Sequence, residues 1–256
     1  MLECVLPERA ALRHIVTAAA ALCFLMTALP VNAGPPYLSD DAEPTDYEHY
    51  EIYAFANGKV GRDGSGGEAG IDFNYGATPD LQLTAVLPAG YARPTGRPSD
   101  ADLGNIELAA KYRLLHQDEF GVDVAVFPRL FLPAGSAQVG ERHASFLLPV
   151  WVQKDWGKLS GFGGGGCVLN RGGDSRNFCL VGWAMTYQVL PKLQLGGELF
   201  HQTADTVGGR ASTVAGAGIK YDVTDNYHLL GYFGPTVQNA AETNRYTWYA
   251  SVLFTF

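Results

Sequence analysis

From Glu48 to Phe256 the sequence repeats one theme, a stretch of about ten residues with alternating apolar and polar character followed by a turn. The clearest examples are Ile71, Phe73 and Tyr75 around Asp72 and Asn74, and Leu81, Leu83 and Ala85 around Gln82 and Thr84. In the same way Ile106, Leu108, Ala110, Tyr112 and Leu114 interleave with Glu107, Lys111 and Arg113, and Lys220 sits between Ile219 and Tyr221. Successive side chains of a strand point to opposite faces, so each stretch has one oily and one wet face. The last stretch is the strongest. Tyr246, Trp248, Ala250, Val252, Phe254 and Phe256 fall on one face, and Arg245, Thr247, Tyr249, Ser251, Leu253 and Thr255 on the other.

Alternation alone fits a soluble sandwich, whose oily face points inward, or a membrane barrel, whose oily face meets lipid. No apolar stretch of the region after the leader is long enough for a helical span, because Gly, Pro, Asp, Arg or Lys interrupts each one. The connections favour the barrel, since they alternate in length. Short turns are expected at Thr78-Pro79-Asp80, Gln117 to Gly121, Asp155-Trp156-Gly157, Leu190-Pro191-Lys192 and Thr224-Asp225-Asn226. Longer segments are expected at Asn57 to Gly67, Ala92 to Asp102, Ala134 to Glu141, Arg171 to Ser175, Ala204 to Ala211 and Asn239 to Thr243. Outer-membrane barrels carry short periplasmic turns and longer outer loops. The predicted fold is therefore an all-β, transmembrane, antiparallel up-and-down barrel of about twelve strands, within a range of ten to fourteen. Pro128, Pro133 and Pro149 make the fifth and sixth strands the least regular, because proline removes a ladder donor.

Arg9 and Arg13 precede an apolar run from Ile15 to Leu29 and then Pro30-Val31-Asn32-Ala33, the order of a secretory signal peptide cleaved after Ala33. Acylation of Cys23 is disfavoured by bulky Leu22 before it. Residues 34–47 contain Pro35, Pro36 and Pro44 with Asp40, Asp41, Glu43 and Asp46, an irregular acidic arm. It could plug the lumen or meet a periplasmic partner, and the residues favour a solvated leader, as termini are commonly loosely held. The organisation is thus signal peptide 1–33, arm 34–47 and barrel 48–256.

The formal net charge of -8 argues against a nucleic-acid partner. The 31 glycines and 30 aromatic residues (13 Tyr, 13 Phe, 4 Trp) suit many strands and tight turns. Cys4 and Cys23 leave with the signal, and Cys167 and Cys179 remain in an oxidising compartment. A hairpin centred on Gly173 would set these two opposite each other, as a disulfide or as two unpaired wall residues.

Three places in the sequence invite a chemical reading. His143-Ala144-Ser145 has the His-x-Ser spacing of outer-membrane phospholipase A, whose pair faces the bilayer. Here Phe146, Leu148, Val150 and Val152 claim the lipid face, which turns His143 and Ser145 inward, so a lipid-modifying enzyme is a disfavoured alternative. The run Gly163 to Gly166 lacks the Lys-Ser or Lys-Thr of a phosphate loop and is read as a strand with small residues against bulky neighbours such as Trp183 or Met185. His49, His201 and His228 are scattered without metal-ligand spacing, so no metal and no cofactor is expected.

The stretch from Gly34 to Pro44, with Tyr47 to Tyr53 after it, resembles the start of the outer-membrane proteins associated with the meta-pathway of phenol degradation. Gly197 to Asp205 and Asn226 to Leu230 strengthen the resemblance, which runs through most of the chain after the leader. The final membrane-facing residues Tyr246, Trp248, Val252, Phe254 and Phe256 are similar to the C-terminal signal of outer-membrane proteins in general. These resemblances imply a bacterial outer-membrane barrel, surrounded by lipid, assembled by the barrel-assembly machinery, and passing small, aromatic-type solutes. No catalytic motif comes with them.

A twelve-stranded barrel lies between eight-stranded barrels filled by side chains and sixteen-stranded water-filled porins, so a narrow polar lumen is expected. Its predicted lining is Asp72, Asn74, Glu107, Lys111, Arg113, Asp123, Arg129, Gln153, Glu198, Lys220 and Arg245, with both signs present and mutual pairing the first expectation. The function expected is passive diffusion of small molecules, with a structural barrel of closed lumen as the alternative.

Overall fold

The computed structural model describes residues 36–136, 139–140, 142–173 and 175–256. The expected signal peptide, with Cys4 and Cys23, lies outside the described residues.

Twelve antiparallel strands form one closed wall. They are β1 (Tyr50–Gly61), β2 (Gly64–Thr78), β3 (Leu81–Pro94), β4 (Asp100–Leu103 and Ile106–Leu115), β5 (Asp123–Val126 and Arg129–Leu132) and β6 (Ser145–Trp156). They continue as β7 (Leu159–Leu169), β8 (Phe178–Leu190), β9 (Leu193–Gln202), β10 (Ser212–Asp222), β11 (Tyr227–Gln238) and β12 (Asn244–Thr255). Two of them are broken. Both halves of β4 pair with β3 across a gap at Gly104 and Asn105, and both halves of β5 pair with β4 and β6 across Phe127 and Pro128. Pro128 lacks a donor, and its carbonyl still accepts from the Ala110 amide at 3.2 Å. Pro149 is tolerated inside β6, where its carbonyl accepts from the Phe127 amide at 3.2 Å.

The first and last strands close the barrel in a register running from Glu51↔Thr255 to Gly61↔Asn244. Closure removes the free edges that an open sheet would present inside lipid. At the rim where Glu51 meets Thr255, the seam rim, Tyr50 stacks on Tyr75 at 4.8 Å between centroids and approaches Phe256 at 5.5 Å, and Tyr227 meets Phe254 at 5.2 Å. Such aromatic rings mark the interface between lipid and water. The oily face of every strand points out: Leu87, Val181, Leu199 and Phe233 are each more than half exposed on the isolated chain, where lipid would cover them.

Between this rim and the opposite one the connections differ as expected. The seam rim carries tight turns after β2, β6, β8 and β10 and one short helix, α1 (Gln117–Phe120), ended by Gly121 in the left-handed region at φ 79°. The opposite rim carries the longer segments 133–144, 170–177 and 203–211. One expected loop is absent. Asn57 to Gly67 continues the ladder, with Lys59 opposite Gly66 and Val60 opposite Ser65, and the chain turns only at Arg62 and Asp63. Likewise Ala92 to Pro94 and Asp100 to Leu103 are strand, so the loop between them is five residues, 95–99. Beyond the bilayer a strand needs no oily face, so polar, glycine-rich sequence there pairs as well as it loops.

Cys167 and Cys179 face each other in the β7–β8 register and are disulfide-bonded, with a Cα separation of 4.0 Å. They lie on the outer face of the hairpin. The glycine run underlies bulk at one of its positions: a side chain at Gly163 would press on the Trp183 ring, while one at Gly164, Gly165 or Gly166 would meet neighbouring backbone.

Candidate functional site

The inward faces of the strands enclose a space occupied by the chain's own N-terminal segment. Residues 36–46 enter the barrel and return to the seam rim, where Glu48, at φ 62°, turns the chain into β1. There the Glu48 amide donates to the Gly76 carbonyl at 2.8 Å, and the His49 amide to the Asp46 carbonyl at 3.0 Å. The solvated leader favoured by its composition is therefore corrected. Prolines and acids are poor at building a core of their own, but they can be bound by a wall that supplies donors, acceptors and cations.

The half of the arm nearer β1 is held by charge and amide contacts. Lys111 Nζ donates to Asp41 at 2.8 Å, to Asp40 at 3.0 Å and to the Glu43 carbonyl at 3.1 Å, with the lysine side chain 4% exposed. Gln82 Oε1 accepts from the amide and hydroxyl of Thr45 at 2.8 and 3.2 Å, and Gln153 Oε1 accepts from the Ala42 amide at 3.2 Å. Gln82 is itself oriented, because its Nε2 donates to Asn74 at 2.7 Å and to Thr84 at 3.0 Å. The Phe127 ring, at the same inward parity as Asp123, Ala125 and Arg129, lies 5.1 Å from the Lys111 ammonium and 5.2 Å from the Arg129 guanidinium.

The other half meets a different wall. Glu198 accepts from the amides of Ser39 at 2.6 Å and Leu38 at 3.2 Å. The Tyr37 ring sits edge-on between Phe162 and Tyr232, at 5.7 Å from each. Below it are Gly196 and Gly218, directly paired on β9 and β10.

Most of the predicted lining lies on inward faces. Asn74, Glu107, Lys111, Asp123, Gln153, Glu198 and Lys220 are buried, while Asp72, Arg113 and Arg129 are half-buried. Arg129 and Glu107 form a bidentate pair at 2.6 and 2.9 Å. Asp72 accepts from Asn74 at 2.9 Å. Lys220 lies 3.9 Å from Asp222, and Arg113 lies 3.4 Å from Asp80 and 3.9 Å from Asp123 near the seam rim. Arg245 is exposed near the opposite rim and joins none of these clusters. The expected polar lumen is corrected to a mixed one: Leu147, Trp151, Phe162, Phe200, Leu230 and Leu253 are buried on the inward face. Tyr53, Leu230 and Leu253 pack into one apolar cluster with Tyr249 against it. Apolar residues at both parities read as noise in an alternation count, which is why the sequence hid them. Ser145 faces inward and is 3% exposed, whereas Phe146 and Leu148 face out. Among the described residues no group of three or more His, Cys, Asp or Glu is placed to hold a metal ion.

Residues 51–250 match the model of the family described as "Putative MetA-pathway of phenol degradation". The chain belongs to this family. Among solved structures, an outer membrane channel from Pseudomonas putida F1 is similar with a TM-score of 0.69 at 16% identity, over 84% of this chain and 98% of that one. The KdgM porin, solved in complex with disordered oligogalacturonate, gives a TM-score of 0.55 at 11% identity, over 81% and 99%. The translocator domain of the autotransporter NalP from Neisseria meningitidis gives 0.50 at 12% identity, over 96% and 97%. No functionally curated protein matches the sequence. These identities establish the fold. The family member described here is a bacterial outer-membrane β-barrel of the architecture used by channels, porins and translocators.

Proposed function

We propose that the protein is an uptake pore for small, aromatic-type molecules, which diffuse through a lumen whose bore is set by the arm at residues 36–46. One observation carries this reading. The space inside the barrel is filled by the N-terminal arm, through hydrogen bonds, ion pairs and ring contacts, over a wall that keeps glycines at Gly196 and Gly218 where larger side chains would have filled it. A wall of about eight strands is filled by its own side chains, and a wider one leaves room inside. The aromatic lining of the lumen and the family's association with phenol degradation support aromatic solutes. The inward placement of Ser145, away from lipid, supports a pore over a lipid hydrolase.

Liposome swelling with a panel of sugars and phenolic solutes tests the proposal, on the intact protein and on a variant lacking residues 36–45. Phenolic solutes are expected to pass the intact protein faster than sugars of similar mass, and both to pass faster without the arm. An armless barrel that is folded, inserted and impermeable to every solute would leave the closed structural barrel as the better account.

A further inference from the structure

We infer that the Tyr37 ring is an internal stand-in for a solute, and that the recess it occupies is a binding site for a hydroxylated aromatic ring, a phenol or close relative. The inference rests on the pore reading only for what the site serves; the site itself rests on geometry.

The recess is shaped for a flat ring. A Cβ added at Gly218 would lie 2.6 Å from Tyr37 Cζ and 2.7 Å from its Cε1, and one added at Gly196 would strike the Tyr37 hydroxyl. Even one carbon at either position would therefore displace the ring. Phe162 and Tyr232 stand on two sides with interplanar angles of 62° and 76°, the edge-to-face arrangement in which ring edges meet ring faces. An aliphatic solute of the same size would lose that electrostatic fit.

The polar end of the recess specifies the hydroxyl. Glu198 is 6% exposed and accepts from two amides of the arm, at Leu38 and Ser39. Thr186 is 2% exposed, its methyl group lies beside Gly196 near the Tyr37 hydroxyl, and its Oγ1 has no hydrogen-bond partner among the described residues. When the arm withdraws, the ring space empties and Glu198 loses two amide donors together. A phenol replaces the ring of Tyr37 and returns one of the two lost donors, its O–H donating to Glu198. Toluene would restore only the ring contacts. Benzoate would bring a second carboxylate beside the first, and like charges repel.

The test is fluorine NMR on the intact protein in detergent micelles, with 4-fluorophenol and 4-fluorotoluene as probes and protein-free micelles as the baseline for partitioning. Wild type, Tyr37→Ala and Tyr37→Ala/Gly218→Leu are compared, each with its barrel shown folded by heat-dependent gel mobility. Vacating the recess should give saturable 4-fluorophenol binding at least about tenfold tighter than wild type, because an internal competitor lowers apparent affinity by the fraction of time the site is free. The phenol should bind about tenfold tighter than the toluene, the scale of one hydrogen bond to a charged acceptor. Gly218→Leu should abolish the gain. If Tyr37→Ala does not fold, Tyr37→Val replaces it and should show a smaller gain. A folded variant without saturable binding, or binding indifferent to Gly218→Leu, overturns the inference. Swelling assays on the same proteins separate the two readings. Arm-dependent permeation without binding removes the site and keeps the pore, whereas binding without permeation keeps the site and removes the pore.

Discussion

The two halves of the arm are held by unlike walls. Asp40 to Thr45 lie against β3, β4 and β6, which offer Gln82, Lys111 and Gln153, and the contacts are ion pairs and hydrogen bonds. Tyr37 to Ser39 lie against β7 to β11, which offer glycine floors, aromatic edges and one carboxylate. The first wall recognises charge and backbone polarity; the second recognises shape, with one carboxylate that takes two backbone amides. A segment gripped in two ways can be loosened in two ways, and separate perturbations should tell latch from recess.

The largest effect is expected at the latch. Lys111→Ala leaves Asp40 and Asp41 facing a lumen without their cation, and removing one partner of a buried ion cluster costs about 3–5 kcal/mol. Taking the lower figure, the fraction of time the arm is out should rise about a hundredfold, read as open-state occupancy in planar bilayers. Lys111→Arg keeps the charge and should restore most of the closure. Equal opening by both variants would mean that packing rather than charge places Lys111.

Next comes the wall behind the recess. The Cys167–Cys179 disulfide ties β7 to β8 on the outer face, and a cross-link closing a short loop contributes about 2–3 kcal/mol, mainly by restricting the unfolded chain. Replacing both cysteines by serine should lower the temperature at which the barrel loses its heat-resistant gel mobility. Open-state occupancy should change far less than for Lys111→Ala. An opening as large as the latch variant's would show that the two walls act as one unit.

A Cβ at the recess floor should come third. Gly218→Ala forces the Tyr37 ring to shift, at the cost of about 1–3 kcal/mol typical of overpacking. Combined with Lys111→Ala, the effects on arm release should add to within about 0.5 kcal/mol if latch and recess are independent. Strong non-additivity would mean that the arm leaves as one piece and that neither half is closed without the other.

How much of this was legible follows the same division. The lipid face was readable because the bilayer imposes one rule on every strand, so Ile71, Phe73, Leu229 and Phe233 fall at the right parity without any knowledge of their neighbours. The last strand was readable because Phe256 ends a long alternation of aromatic and apolar residues on one face. The inner face obeys no such rule. Lys111 was recognisable as a wall cation, but its partners lie about seventy positions away in a segment whose composition resembles a disordered leader. Gly182, Gly196, Gly216, Gly218 and Gly234 all fall at inward positions on β8 to β11. That coincidence is visible only once the register is fixed; with it, the sequence would have announced an empty volume on one side of the lumen. Arg245 sits at inward parity yet is exposed, because parity fixes a direction and not a depth.

The smallest effect should be that of salt, and it bears on the latch alone. Exposed ion pairs weaken as the screening length falls from about 10 Å at 0.1 M to about 3 Å at 1 M, whereas buried pairs are screened much less. Lys111 is 4% exposed at its side chain and Asp41 11%, so the pair belongs to the second class. Open-state occupancy, corrected for the conductance of the bath, should therefore change less than about threefold over that range. The recess, held by shape and by amide hydrogen bonds to buried Glu198 with no ion pair to the arm among the described residues, should respond even less, so Gly218→Ala and wild type should show the same small slope. A steep salt dependence in wild type that Lys111→Ala abolishes would mean that ions reach the latch while the arm is still seated. The lumen would then be wet on the charged side and dry on the aromatic one, and the arm would divide it lengthwise.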